Sequence, residues 1–360
     1  MQNPQARAMV FEAVGQPFSQ VQMELPELNT DEALIQIDYT TICTSDLHTF
    51  YGKRGGACHS ILGHEIMGTI VKVPVEGIHD YHGHSLQIGD RVTWSVYAHD
   101  KSDPMAKKGI PQKSGDLFKY GHEPMNGQNP LNGGFATHCH LRHGSTLFKL
   151  PSNLSQKEAA PLNCTHATMA GAIRLAGDLN GKNVLVNGVG MLGLSACAMA
   201  KELGANTVFS MDVDESRLTY SKKFGVSMGL DAVLTASEVL DIVAKEGGID
   251  VVIETSGVPS AIEKSMEVLN IGGICVMVGA VYTQRDLAIN AEHMVRKLLT
   301  LKGLHNYAHD DLRFAIDFLS KNHKKYPFGE LVGAEFPLHQ LDDAFELAHE
   351  GTYYRVGIHP

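Results

Sequence analysis

Asn183-Val-Leu-Val-Asn-Gly-Val-Gly-Met-Leu-Gly193 decides the fold. A continuous apolar strand runs into a glycine turn, and the residues beyond it, from Leu192 to Leu203, carry a helical pattern. G-x-G-x-x-G in that setting is a phosphate-binding turn with a physical role for each glycine. Gly188 allows the tight bend, Gly190 the close approach of a pyrophosphate, and Gly193 the packing of helix on strand. Val189, Met191 and Leu192 complete the turn, and the free N–H groups of the helix start offer partial positive charge to the phosphates. About twenty residues on, Asp212 ends the next strand, the position from which a carboxylate accepts both ribose hydroxyls and repels a 2′-phosphate. NAD is therefore expected rather than NADP. Arg217, in the segment that follows, joins the candidate cofactor residues.

Outward from the turn the same texture repeats, with apolar runs at Asp250-Val-Val-Ile-Glu and Gly273-Ile-Cys-Val-Met-Val-Gly. Such strands alternating with helices predict an α/β domain with a parallel sheet covered on both faces. The texture begins near residue 155, where Ser155-Gln-Lys-Glu158 fits a capping box at a helix start. Before it, Ala33-Leu-Ile-Gln-Ile-Asp, Gly68-Thr-Ile-Val-Lys-Val and Gly89-Asp-Arg-Val-Thr-Trp read as short strands of an antiparallel barrel or sandwich. Residues 97–132 are polar and aperiodic, the pattern of a lobe-like excursion. Beyond residue 303 the pattern is mixed, so the last stretch is expected to fold back onto the first domain.

A chain of 360 residues with 43% hydrophobic content has room for two cores. Its net charge of −10 excludes a nucleic-acid backbone or an anionic membrane as partner, since both require a basic face. The amino-terminal residues lack the apolar core of a signal peptide, and no run is long enough to span a bilayer. Six scattered cysteines form no disulfide framework, which points to a reducing cytoplasm.

Thr41-Ile-Cys-Thr-Ser-Asp-Leu-His48 and Ile61-Leu-Gly-His-Glu-Ile-Met-Gly68 gather a thiol, imidazoles, carboxylates and hydroxyls between apolar runs. Zinc takes thiolate and imidazole, and a catalytic zinc keeps one position open. Cys43, with His48 or His64, supplies the first candidate ligands; spacing does not choose between the histidines.

With these segments, Gly89-Asp-Arg-Val and Cys164-Thr-His-Ala-Thr168, the chain resembles the zinc-dependent medium-chain alcohol dehydrogenases of the medium-chain dehydrogenase/reductase superfamily over nearly its whole length. The resemblance implies a GroES-like, mainly β catalytic domain over 1–155 and 304–360 and a doubly wound Rossmann NAD-binding domain over 156–303. It implies Cys43, His64 and Cys164 as the ligands of one catalytic zinc, the Cys₂His set of alcohol dehydrogenase. Ser45 and His48 would then relay the alcohol proton, Asp46 would fix the tautomer of His64, and Glu65 would be an alternate ligand. Thr168 corresponds to a position touching the nicotinamide side. The activity implied is hydride transfer from an alcohol to NAD, giving an aldehyde or ketone, in a cytoplasmic homodimer or homotetramer. The resemblance also extends to branches linked with phosphonate breakdown and hydroxycamphor-type alcohols. The alternatives are a zinc-free NADPH-dependent quinone or enoyl reductase of the same fold, and a catalytically silent NAD-binding protein.

Four cysteines that hold a second, structural zinc in many members are replaced by Asp100, Asp103, Ala106 and Ser114, so the lobe is expected to be free of metal. His79, His82 and His84 read as solvated loop residues, His138 and His140 as structural, and Cys58, Cys197 and Cys275 as buried thiols. Lys53 and Arg54 follow His48; they are either solvated or hold an anionic group of the substrate.

Overall fold

The structure, a computed structural model, describes residues 5–127 and 130–360, so the first four residues of the amino-terminal stretch and two in the polar segment lie outside it. The chain divides into two compact units. The first runs to Cys164 and includes Ala308–His323 and Phe328–Pro360; the second is Thr165–Tyr307 with Lys324–Pro327.

In the first unit, strands Ser145–Lys149, Arg91–Ala98, Glu65–Lys72, Ala33–Thr41, Arg355–His359 and Val332–Pro337 follow one another across a sheet. Every pair is antiparallel except the last, whose parallel crossover carries the helix Leu341–Glu350. The carboxy-terminal strand thus lies beside Ala33–Thr41. Phe18, Phe50, Phe135 and Phe345 pack ring on ring with centroids 4.9–6.5 Å apart, anchoring the helix Thr44–Phe50. Cys43 sits at the N-cap of that helix, so burying Phe50 also fixes where the Cys43 thiol lies.

The second unit has six parallel strands in the order Met228–Asp231, Thr207–Asp212, Asn183–Asn187, Ile249–Glu254, Leu269–Met277, Thr300–Gly303. Numbered along the chain this is 3-2-1-4-5-6, the doubly wound order whose ligand crevice lies where strand order reverses, beside Asn183–Asn187. That strand is buried throughout, as expected for one covered on both faces.

The polar segment has its own short-range supports. Asp103 caps the helix Pro104–Lys107, taking the Met105 N–H at 2.6 Å on one oxygen and the Gly115 N–H at 3.0 Å on the other. Asp116 accepts the Asp100 N–H, and Asp100 accepts from the Ser102 N–H and hydroxyl. One sequence reading is corrected: Cys58 is exposed, because it lies in a glycine-rich loop with no apolar run to carry it inward, whereas Cys197 and Cys275 are buried. His140 is buried with its Nε2 3.0 Å from Glu32, and the hairpin of His79, His82 and His84 is closed by Asp80, which accepts the His82 and His84 N–H groups.

Candidate functional site

Three stretches of the first unit converge on one point. Cys43 comes from the start of the helix Thr44–Phe50, His64 from the loop entering the strand Glu65–Lys72, and Cys164 from the end of the turn Ala160–Asn163. Their ligand atoms lie within 4.8 Å of one another, and no other such trio forms among the described residues. Cys43 and His64 are buried and Cys164 half-buried.

Asp46 ties these stretches together. One carboxylate oxygen accepts the Cys43 N–H at 2.9 Å, and the other accepts the Gly63 N–H at 3.2 Å and His64 Nδ1 at 3.1 Å. With Nδ1 donating, His64 presents the Nε2 lone pair to the cluster, where the Ser45 hydroxyl lies 3.2 Å away. Burial opposes a charged His64, yet the charge and hydrogen bond of Asp46, with Cys43, hold it well above the ordinary histidine range. Cys43 is held well below the usual thiol range by the hydrogen bond from Cys164, against burial, with help from Arg355 and His64. Cys164 is pushed well up by that same bond and by burial. The donors are those of a soft tetrahedral cation with one position left over, and zinc fits them.

Glu65 is buried but lies outside the trio. Its oxygens receive Arg355 Nε at 2.7 Å and Nη2 at 3.0 Å and the Thr41 hydroxyl at 2.6 Å. Burial pushes its carboxyl up and Arg355 draws it back. Arg355 Nη2 also lies 3.6 Å from Cys43 Sγ. Sequence reading missed Arg355; the available signal was a cation directly before the apolar Val356-Gly-Ile358 of the strand Arg355–His359. His48, on the same helix as Ser45, is half-buried, and burial, then Lys53 and Arg54, hold it below the ordinary histidine value. His122, also missed, has its ring 5.0 Å from that of His64.

In the second unit Gly188 has φ +86°, and a Cβ at Gly193 would lie 1.9 Å from the Gly188 carbonyl oxygen, so that helix and strand close up only through glycine. Gly190, the N-cap of the helix Met191–Glu202, has open space where a side chain would stand. Asp212 accepts the Val189 N–H at 2.8 Å and the Asp214 N–H at 3.1 Å, one on each oxygen. Arg217 lies 3.7 Å from Asp214, and Thr168 is half-buried in the first turn of the helix Thr165–Ala176.

Comparison with known proteins agrees with this architecture. Residues 29–152 match the alcohol dehydrogenase GroES-like domain and residues 191–321 the zinc-binding dehydrogenase domain. Sorbitol dehydrogenase of Halalkalibacterium halodurans is 29% identical over 340 residues, 93% of each chain. A probable D-xylulose reductase A of Aspergillus clavatus is 28% identical over 379 residues, 97% of this chain and 95% of its own. An alcohol dehydrogenase of Thermotoga maritima shares the fold with a TM-score of 0.94 at 24% identity, over 99% of this chain and 100% of its own. The chain belongs to the zinc-dependent medium-chain alcohol dehydrogenase family, with a GroES-like domain and a parallel-sheet, Rossmann-like domain.

Proposed function

We propose that the protein oxidises an alcohol to the corresponding aldehyde or ketone, with Cys43, His64 and Cys164 holding one zinc and with NAD preferred over NADP. The observation that carries this reading is the buried set of two sulfurs and one imidazole nitrogen within 4.8 Å, one donor short of a tetrahedron. When bound, zinc supplies Lewis acidity to the substrate oxygen and the nicotinamide accepts the hydride.

The residues of the chain do the positioning and move the proton. Asp46 fixes the tautomer of His64 and the start of the helix that bears Cys43. Ser45, whose hydroxyl adjoins the cluster, receives the alcohol proton, and His48 passes it outward. Glu65, held by Arg355 and Thr41, serves as a buried counter-charge and as an alternate ligand only if Arg355 releases it. Gly188 to Gly193 receive the pyrophosphate, Asp212 the ribose hydroxyls, and Arg217 and Thr168 belong to the same cofactor set. A zinc-free quinone or enoyl reductase would leave two converging thiols without a role.

Six free thiols support a reducing, cytoplasmic setting. No helix among the described residues is long and apolar enough to cross a membrane. A homodimer or homotetramer is supported by the terminal position of the strand Thr300–Gly303 in its sheet, near Val295 and Leu298 in sequence, which are 73% and 69% exposed. The test is a panel of polyols and simple alcohols with zinc-loaded protein, NAD or NADP, followed by nicotinamide absorbance. Turnover with NAD, lost on chelation and restored by zinc, is expected; a preference for NADP would overturn the role given to Asp212.

A further inference from the structure

The first unit contains a second feature beside the ligand cluster, a cavity of ≈ 360 Å³ lined by Thr49, Arg54, Leu62, Lys119, His122 and Glu123 among others. Its wall and the metal-ligand loop are continuous. Leu62 precedes Gly63-His64, and Gly121 (φ +74°) is pressed so close that a Cβ there would lie 2.3 Å from the Gly63 carbonyl oxygen. The His122 ring stands 5.0 Å from that of His64. A molecule bound in this space would lie beside the loop that bears His64, and the volume is within the size range of small-molecule sites.

The cavity is lined by two cations, Arg54 and Lys119, and one carboxylate, Glu123. Arg54 and Lys119 are half-buried, and among the described residues neither side chain has an ion-pair partner. Glu123 is the carboxylate in the wall, and one of its oxygens accepts the Lys119 backbone N–H at 3.1 Å. Burial, then the neighbouring charges of Lys113 and Arg54, hold the Lys119 ammonium below the ordinary lysine range, with Glu123 only partly offsetting them. His122 Nδ1 lies 2.9 Å from the Tyr120 carbonyl oxygen and therefore donates to it. Its other nitrogen is then an acceptor with no proton to offer an anion, so recognition falls to Arg54 and Lys119.

We propose that the alcohol substrate carries an oxyanion, held in this cavity between the planar fork of Arg54 and the ammonium of Lys119. The inference rests on the dehydrogenase reading above. It revises the sequence pairing: Lys53 is exposed and does not line the cavity, and the partner of Arg54 comes from the polar segment. An Arg fork grips two oxygens at once while a lysine adds a point charge, which suits phosphoryl-type and carboxylate groups alike. An anion so held would relieve the mutual repulsion of the two cations, whereas a neutral alcohol would leave them crowded.

The test compares 2-hydroxypropylphosphonate with its dimethyl ester, and 3-hydroxybutyrate with its methyl ester, by kcat/KM in zinc-loaded native protein, Arg54→Gln and Lys119→Met. The native protein is expected to favour the anions by about tenfold or more, and each substitution to lower that ratio by about tenfold, equivalent to roughly 1.4 kcal/mol. The larger of the two anion preferences assigns the oxyanion as phosphoryl-type or carboxylate. A second measurement needs no turnover: methylphosphonate should raise the unfolding midpoint of the native protein above that in chloride at equal ionic strength, and should fail to do so in Arg54→Gln. Preference for the esters, or an equal midpoint rise in native protein and both variants, would overturn the proposal. If acids, esters and plain alcohols all fail to react while methylphosphonate still binds through Arg54, the dehydrogenase reading fails and the oxyanion site stands.

Discussion

Arg355 and Glu65 meet from positions 290 residues apart, and both side chains are at most 4% exposed. A buried ion pair holds because each charge satisfies the other, so removing one partner is far costlier than removing both. Arg355→Met is expected to destabilise the protein by roughly 3–5 kcal/mol, and Glu65→Gln with Arg355→Met to recover much of that. Denaturant titration of zinc-saturated protein measures both; a loss below about 1 kcal/mol in the single variant would remove the pair from the stability of the site. His48 makes a different demand. Burial and the cations Lys53 and Arg54 hold its pKa below 6.5, so the neutral, proton-accepting form persists through neutrality and the acid limb of alcohol oxidation lies on the low side of that value. His48→Gln should slow oxidation on the order of a hundredfold, chiefly where solvent accepts the proton poorly. An unchanged pH–rate profile would take His48 out of the relay.

At the scale of elements, what could be read in the sequence was what repeats or what is local. The strand Asn183–Asn187 and its glycine turn announce themselves through a continuous apolar run and through conformations that favour glycine. The Ser155 capping box is likewise spelled out over four residues and forms as read. The polar lobe has no period, and its supports are single aspartate bonds that composition does not reveal. Lys119 was hidden for the same reason, and Arg355 because its partner is remote in sequence. The lobe yields its own prediction. Hydrogen bonds from the Gly115 and Met105 N–H groups hold the Asp103 carboxyl below the usual aspartate range. Its support is therefore complete above an unfolded pKa of about 3.9 and is lost as pH falls through the lower folded value. Hydrogen exchange should show the Met105 and Gly115 amides losing protection in that acid window. Asp103→Ala should show the same loss at neutral pH. Protection independent of both pH and substitution would mean that other contacts hold the lobe.

For the molecule as a whole, the metal count follows from how donors are distributed. Among the described residues one trio of ligand atoms closes to 4.8 Å, and it lies within the first unit. The lobe offers carboxylates already occupied by backbone N–H groups instead of four soft donors. One zinc per chain is therefore expected. In the absence of a cation, the hydrogen bond between Cys43 and Cys164 lowers the first thiol and raises the second, so that the pair retains a proton between its sulfurs. Two thiolates are needed to ligate the ion, so loading must displace that proton, and affinity should rise with pH through neutrality. Calorimetric titration of chelated protein with zinc, in buffers of different ionisation enthalpy, should show about one ion bound and at least about one proton released per chain. Because the ion binds only the assembled trio, zinc at a thousand times its Kd should add about 4 kcal/mol to the unfolding free energy of the chain. Two tightly held ions, or binding without proton release and without stabilisation, would show that the converging thiols are not the site that zinc occupies.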